Sequence, residues 1–285
     1  LGYLALTSNT SGTQNTAVGA YAGDAITTGD YNTVVGQSAL TVATTADSNT
    51  AIGQTALHLT TTGDNNVGVG KAALYANTTG QYNTAVGSSS LDANTTGIEN
   101  TAIGYGALTN STTGNENTAV GRGAMRDNTT GSNNTAVGRL AVDENTTGNG
   151  NTGIGHRSGQ KITTGDDNTS LGREAGRDIT TGGNNLLLGK GAGLSASPCG
   201  QITTHSNVVC LGDNNIAGLY CKVSTIQTSD LRDKTDITDF EHGLSWVEKL
   251  RPVTYKWDMR SKYEDGVPDG SKKEERLHLG FIAQE

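Results

Sequence analysis

The chain has 285 residues, with 28 acidic against 20 basic side chains and a net charge of -8, a balance that argues against nucleic acid or an anionic membrane surface as a partner. Only 33% of the residues are hydrophobic and 5% aromatic, with 40 glycines and 3 prolines, a composition that leans towards disorder. No run of 18 apolar residues occurs, so no membrane-inserted segment is expected.

A strict period opposes the disorder. Leu1 to Leu6 lacks a basic flank and an initiating Met, and Gly2 and Ala5 already fit the repeat phase, so this stretch reads as part of the repeat, cut from a longer protein, and not as a signal peptide. The phrase Asn-Thr-Ala-Val-Gly at Asn15 to Gly19 then returns every 17 residues, its glycine falling at Gly36, Gly53, Gly70 and onward through Gly172 to Gly189. Thr-Thr-Gly keeps the same phase from Gly29 to Gly182, interrupted only at Ala46. A period held this strictly means one supersecondary unit stacked on copies of itself.

Each unit carries two short apolar strokes. One precedes the glycine, as in Ala17-Val18, Ala51-Ile52 and Leu187-Leu188; the other follows it, as in Ala39-Leu40, Ala73-Leu74 and Ala124-Met125. Both are too short for helices, and turn residues bound them, so both are read as strands. Coils stacked in register about 4.8 Å apart would give a rod on the order of 50 to 60 Å long, with Asn15 and its equivalents forming an amide ladder. One coil buries only a few modest side chains, little to set against the entropy of ordering the whole repeat. Association of several chains would supply the missing burial.

The repeated phrase resembles the Asn-Ser-Val-Ala-Ile-Gly repeats of trimeric adhesin heads and the repeat shafts of phage tail fibres. That resemblance implies a homotrimeric parallel β-roll or β-solenoid shaft.

Several local motifs are discounted. Gly189-Lys190-Gly191-Ala192-Gly193 and Gly68-Val69-Gly70-Lys71 have the look of phosphate loops, but both sit in repeat phase with no helix to follow. Sequons at Asn77, Asn94, Asn128 and Asn145 arise from the Asn-Thr-Thr-Gly consensus. The Thr-Thr column has the spacing of an ice-binding face, yet a solvent-facing turn is the better reading because glycine interrupts every step. Asp24, Asp30, Asp64, Asp92, Asp127 and Asp143 vary in phase, so no carboxylate pair is set across a groove as glycoside hydrolysis requires. No cofactor or calcium-binding motif is found.

After Gly189 the rhythm loosens, and residues 191–228 read as a transition, a cap or tip after the 1–190 shaft. Cys199, Cys210 and Cys221 are odd in number and lack close pairing, which disfavours zinc and a disulfide framework and points to small buried thiols.

From residue 229 the composition changes: the segment 229–285 holds both tryptophans and both phenylalanines of the chain. Thr238 to Glu241 offers a capping box for a helix with Phe240, Leu244, Val247 and Leu250 on one face. Val253, Tyr255 and Trp257 alternate as a strand, as do Leu277, Leu279 and Phe281. Ser229-Asp230-Leu231-Arg232-Asp233-Lys234, the phrase Leu250 to Trp257, and Leu279 to Glu285 together resemble the intramolecular chaperone of endosialidase-type phage fibres, peptidase family S74. The resemblance implies a small α+β chaperone domain over 229–285 that drives trimer assembly and then cuts itself off.

The implied scissile bond is Thr228–Ser229, with Ser229 as nucleophile and Lys234 as its partner. A serine hydroxyl needs a base, and a lysine serves once burial or a neighbouring cation makes it neutral. Ser229 would attack the Thr228 carbonyl directly, or shift the acyl group from nitrogen to oxygen and leave an ester for water. Asp230 and Arg232 stand where they would orient the bond or hold the oxyanion. The expected protein is a viral tail-fibre segment in the virion, partnered by its own copies, by other tail or fibre proteins and by a host receptor, and catalysing one self-directed peptide hydrolysis. The alternative is a cell-surface trimeric adhesin that binds its ligand through the repeat face.

Overall fold

A computed structural model describes residues 2–218, 252–256, 271, 275 and 278–281. Two compact units are present, Leu1–Leu219 and Tyr220–Glu285. Twelve three-residue strands build the first: β1 (Thr16–Val18), β2 (Thr33–Val35), β3 (Thr50–Ile52), β4 (Val67–Val69), β5 (Thr84–Val86), β6 (Thr101–Ile103), β7 (Thr118–Val120), β8 (Thr135–Val137), β9 (Thr152–Ile154), β10 (Thr169–Leu171), β11 (Leu186–Leu188) and β12 (Val209–Leu211). They form one parallel sheet in sequence order, and successive strands pair one repeat apart, as Thr101 does with Thr118. This is the parallel β-solenoid expected of the repeat, and no helix occurs among the described residues.

The strand residues are Thr-Ala-Val or close variants because only the middle one faces inward. Ala102, Ala119 and Ala136 are fully buried, while their neighbours on either side remain partly exposed. The phrase glycine ends the strand by turning the chain sharply. Gly104 has φ 131°, and a Cβ there would lie 2.7 Å from the Gly121 carbonyl of the next coil. Both the dihedral and the close approach demand glycine.

The second apolar stroke is not a strand. Leu40, Leu57, Leu74, Leu91, Leu108, Met125 and Val142 all adopt left-handed backbone within turns, with φ between 48° and 54°. A left-handed leucine costs roughly 1–2 kcal/mol, whereas burying its side chain returns about 2–3 kcal/mol. Each of these side chains is 0% exposed, so burial outweighs the strain and lets the coil close within a single repeat.

The core has a complementary alternative. Where that position is glycine in a coil of ordinary length, at Gly23, Gly159 and Gly176, the residue three places later is isoleucine, at Ile26, Ile162 and Ile179; in the lengthened coil Gly193 has Ile202 beside it instead. A Cβ on Gly159 would sit 3.0 Å from Ile162 Cδ1, and one on Gly176 would sit 3.1 Å from Ile179 Cδ1. Leucine in the first position or isoleucine in the second fills the same volume, and no coil holds both.

Beyond Gly189 the stack continues. β12 pairs in register with β11, Leu186 opposite Val209, after a coil lengthened by the insertion that follows Leu194. In the second unit, β13 (Pro252–Tyr255) and β14 (His278–Phe281) pair antiparallel with Val253 opposite Gly280. These match the strands expected from Val253 and Tyr255 and from Leu279 and Phe281. The expected helix, with Phe240, Leu244, Val247 and Leu250, lies outside the described residues.

Candidate functional site

Three columns of side chains run the length of the shaft, and their chemistry follows from their place in the coil. Asparagine heads each strand because its side-chain amide both accepts from and donates to the coil that follows. Asn100 accepts at Oδ1 from the Asn117 main-chain N–H at 3.0 Å, its own N–H donates to Asn83 Oδ1 at 3.0 Å, and its Nδ2 donates to the Gly114 carbonyl at 2.8 Å. The amide ladder expected from the repeat is thus formed.

The first threonine of each Thr-Thr pair forms a hydroxyl ladder, with Thr95 Oγ1 donating to the Thr112 carbonyl at 3.0 Å and Thr112 Oγ1 to that of Thr129 at 3.1 Å. Its hydroxyl is spent within the fold, while the second threonine, such as Thr96 or Thr130, is exposed. The sequon asparagines Asn77, Asn94, Asn128 and Asn145 are 0% exposed. Asn94 Nδ2 donates to Asn77 Oδ1 at 2.8 Å and to the Gly97 carbonyl at 3.0 Å. A glycan on that nitrogen is incompatible with the folded coil.

Charge concentrates in the C-terminal half of the shaft. Directly after the phrase glycine come Arg122, Arg139, His156, Arg173 and Lys190 on five consecutive coils. Arg173 pairs with Glu174 at 3.8 Å and Lys190 with Asp213 at 3.6 Å, whereas the Arg122 guanidinium lies 6.0 Å from the Tyr105 ring centroid. Tyr105, Arg122, Arg126, Arg139 and Leu140 surround a shallow groove of about 220 Å³ floored by Gly106 and Gly123. Reading the repeat down one column, and not along the chain, is what brings this rail into view.

Two buried carboxylates on neighbouring columns behave oppositely. Burial pushes the Asp143 carboxyl up to about 6 despite Arg126, 3.3 Å from its Oδ2. Asp178 is also raised by burial, but hydrogen bonds from Arg177 and Lys161 outweigh it and hold the group at about 2. Its partners include Lys161 Nζ at 2.9 Å and Gln201 Nε2 at 3.1 Å, which ties the lengthened last coil to the stack.

The cysteine expectation needs correction. Cys199 and Cys210 form a disulfide, with Cα atoms 5.9 Å apart, and are not free thiols. The residues inserted after Leu194 loop back over the last strand and set Cys199 against Cys210 on β12, a proximity invisible in the spacing of 11. No group of metal-ligating side chains occurs among the described residues.

Thr228, Ser229, Asp230, Arg232 and Lys234 lie outside the described residues, as does Cys221. The structure does bring together two of the three phrases that carry the family resemblance. Pro252 and Phe281 are register partners in the β13–β14 pair, joining the phrase from Leu250 to the one ending at Glu285. Lys256 Nζ also lies 3.7 Å from Glu275 Oε2.

No curated protein and no solved structure matches the chain at a significant level. Residues 229–285 match the family model of peptidase S74, the chaperone of endosialidase.

Proposed function

We propose that this chain is a segment of a phage tail fibre: a homotrimeric solenoid shaft over residues 1–190, a transition over 191–228, and the start of a self-cleaving chaperone over 229–285. The single observation that carries this reading is the S74 match in the same chain as, and C-terminal to, a stack of parallel coils. A thin coil with a small core gains from association, and a chaperone that assembles trimers is the device such a chain needs. The shaft gives structural reach in the virion, in contact with other tail or fibre proteins, and carries attachment to a host receptor.

In this reading Ser229 is the nucleophile and Lys234, made neutral by its surroundings, takes its proton. The Thr228–Ser229 bond breaks either by direct attack on the Thr228 carbonyl or through an ester formed on Ser229 Oγ and opened by water. Asp230 and Arg232 support the reacting bond.

Intact mass of freshly purified protein, alongside Ser229→Ala and Lys234→Ala variants, tests the proposal. Wild type is expected to yield a fragment ending at Thr228 while both variants stay whole, and the shaft fragment is expected to run at three times its chain mass. Uncleaved wild type would remove the catalytic assignment, and a monomeric shaft would remove the fibre reading.

A further inference from the structure

The outer face of the twelve-stranded sheet is built from the first and third residues of each strand. The third position is Val, Ile or Leu in every strand from Val18 to Leu211, and the first is Thr, Val or Leu. Neither column holds one charged residue. Val18 is 45% exposed, Ile103 40% and Leu171 48%, and Val35, Val69, Val120, Val137 and Leu188 are partly exposed, so stacking on the coils above and below leaves part of every side chain in this column in water. Scattered exposed hydrophobics are ordinary, but a continuous stripe along a whole shaft is not. Its apolar area is on the order of 600–800 Å² per chain, about what one partner contributes to a standard interface.

The columns flanking the stripe carry charge on the middle coils, and there their signs differ by side. Glu99 and Glu116 precede β6 and β7 on consecutive coils, while Arg122 and Arg139 follow β7 and β8; all four are at least partly exposed. None forms an ion pair among the described residues. Each stands about 4.8 Å from a like charge in its own column, an arrangement that is unfavourable in an isolated shaft. Bringing the acidic edge of one copy against the basic edge of the next removes both costs. An edge-to-edge contact of unlike surfaces is heterologous and closes into a ring.

We infer that this stripe is the face on which copies of the chain meet, parallel and in register, with Val18 through Leu211 turned to the common axis. In that register Glu116 of one copy lies level with Arg122 of the next, and Glu99 and Arg139 stand one coil to either side of that pair. Only a chain of the same period matches the stripe over its full length. The inference rests on the homotrimeric reading above and specifies its interface.

The test uses the full chain, with mass by light scattering and folding by circular dichroism. Ile103→Lys with Val137→Lys is expected to weaken association at least tenfold, while Thr96→Lys with Thr130→Lys, on an exposed turn column, leaves the mass unchanged. Since lysine in the sheet could unfold a coil, two gentler variants accompany it. Val120→Cys is expected to give interchain peptides joined at residue 120 on oxidation, and Thr130→Cys to give none. Glu116→Arg and Arg122→Glu are each expected to weaken association, and the double variant to restore it. A trimeric wild type whose folded stripe variants stay trimeric, or whose chains cross-link at residue 130 and not 120, overturns the assigned face and leaves the trimer standing. A monomeric wild type overturns both.

Discussion

Asn100 shows what the head position of each repeat demands. Its main-chain N–H donates to the coil before, while its side chain accepts from and donates to the coil after, and only a side chain that both donates and accepts at that length makes the latter two. Asn100→Asp keeps the acceptor but loses the donor to the Gly114 carbonyl and places a charge at a site that is 0% exposed. We expect a loss of about 3 kcal/mol, measured by urea unfolding, against less than about 0.5 kcal/mol for Thr96→Ala on the exposed column. Asp143 makes the opposite case at the same scale. Its pKa is raised to about 6 in the folded chain, above the unfolded value of about 3.9. Its protonation therefore favours folding, a contribution fully present below about pH 4 and lost as pH rises through 6. Asp143→Asn is expected to raise the melting temperature at pH 7.5 and to leave it unchanged at pH 4.

Within one coil the decisive unit is the pair of core positions that trade volume. Leu108 fills the core of its coil, while the Ser111 hydroxyl is buried without a hydrogen-bond partner. Leu108→Gly alone opens a cavity and should cost about 3–5 kcal/mol. Ser111→Ile alone overpacks the same space and should cost about 1–3 kcal/mol. Together they reproduce the arrangement of Gly159 with Ile162, relieve the left-handed leucine at φ 51° and remove the orphan hydroxyl. The double variant is expected to recover most of the loss of the glycine variant, read as a positive coupling in a double-mutant cycle.

At the scale of the molecule the shaft is one-dimensional: each coil touches its neighbours, and stability is close to a sum over coils and their interfaces. Deleting residues 88–104, one full period, should leave a folded solenoid with a melting temperature lowered by only a few degrees. Deleting residues 88–103 shifts every later strand residue by one, turning the valines inward and the alanines outward, and should abolish cooperative unfolding. Circular dichroism melts of the two deletions side by side check this. The Cys199–Cys210 disulfide acts at the end of the stack, where the last coil is longest. Closing a loop of that size contributes about 2–3 kcal/mol by restricting the unfolded chain, so reduction should lower protection from hydrogen exchange in the last coil and leave the middle coils untouched.

The repeat, legible along the chain, determined the period, the parallel register and the asparagine ladder, because a short unit repeated without slips has few ways to pair with itself. The strands at Val253 and Leu279 were equally legible from their alternation. What the sequence could not disclose is where contacts between coils outweigh local preference. Leu40 and its equivalents look like strand residues and become left-handed turns, since only the packed coil supplies the burial that overcomes their backbone strain. Cys199 looks like a thiol and becomes half of a disulfide, since its partner is set by the path of an inserted loop. The Arg122 rail and the Val18 to Leu211 stripe stayed hidden along the chain for the same reason: their members lie a full repeat apart, and only stacking makes them neighbours.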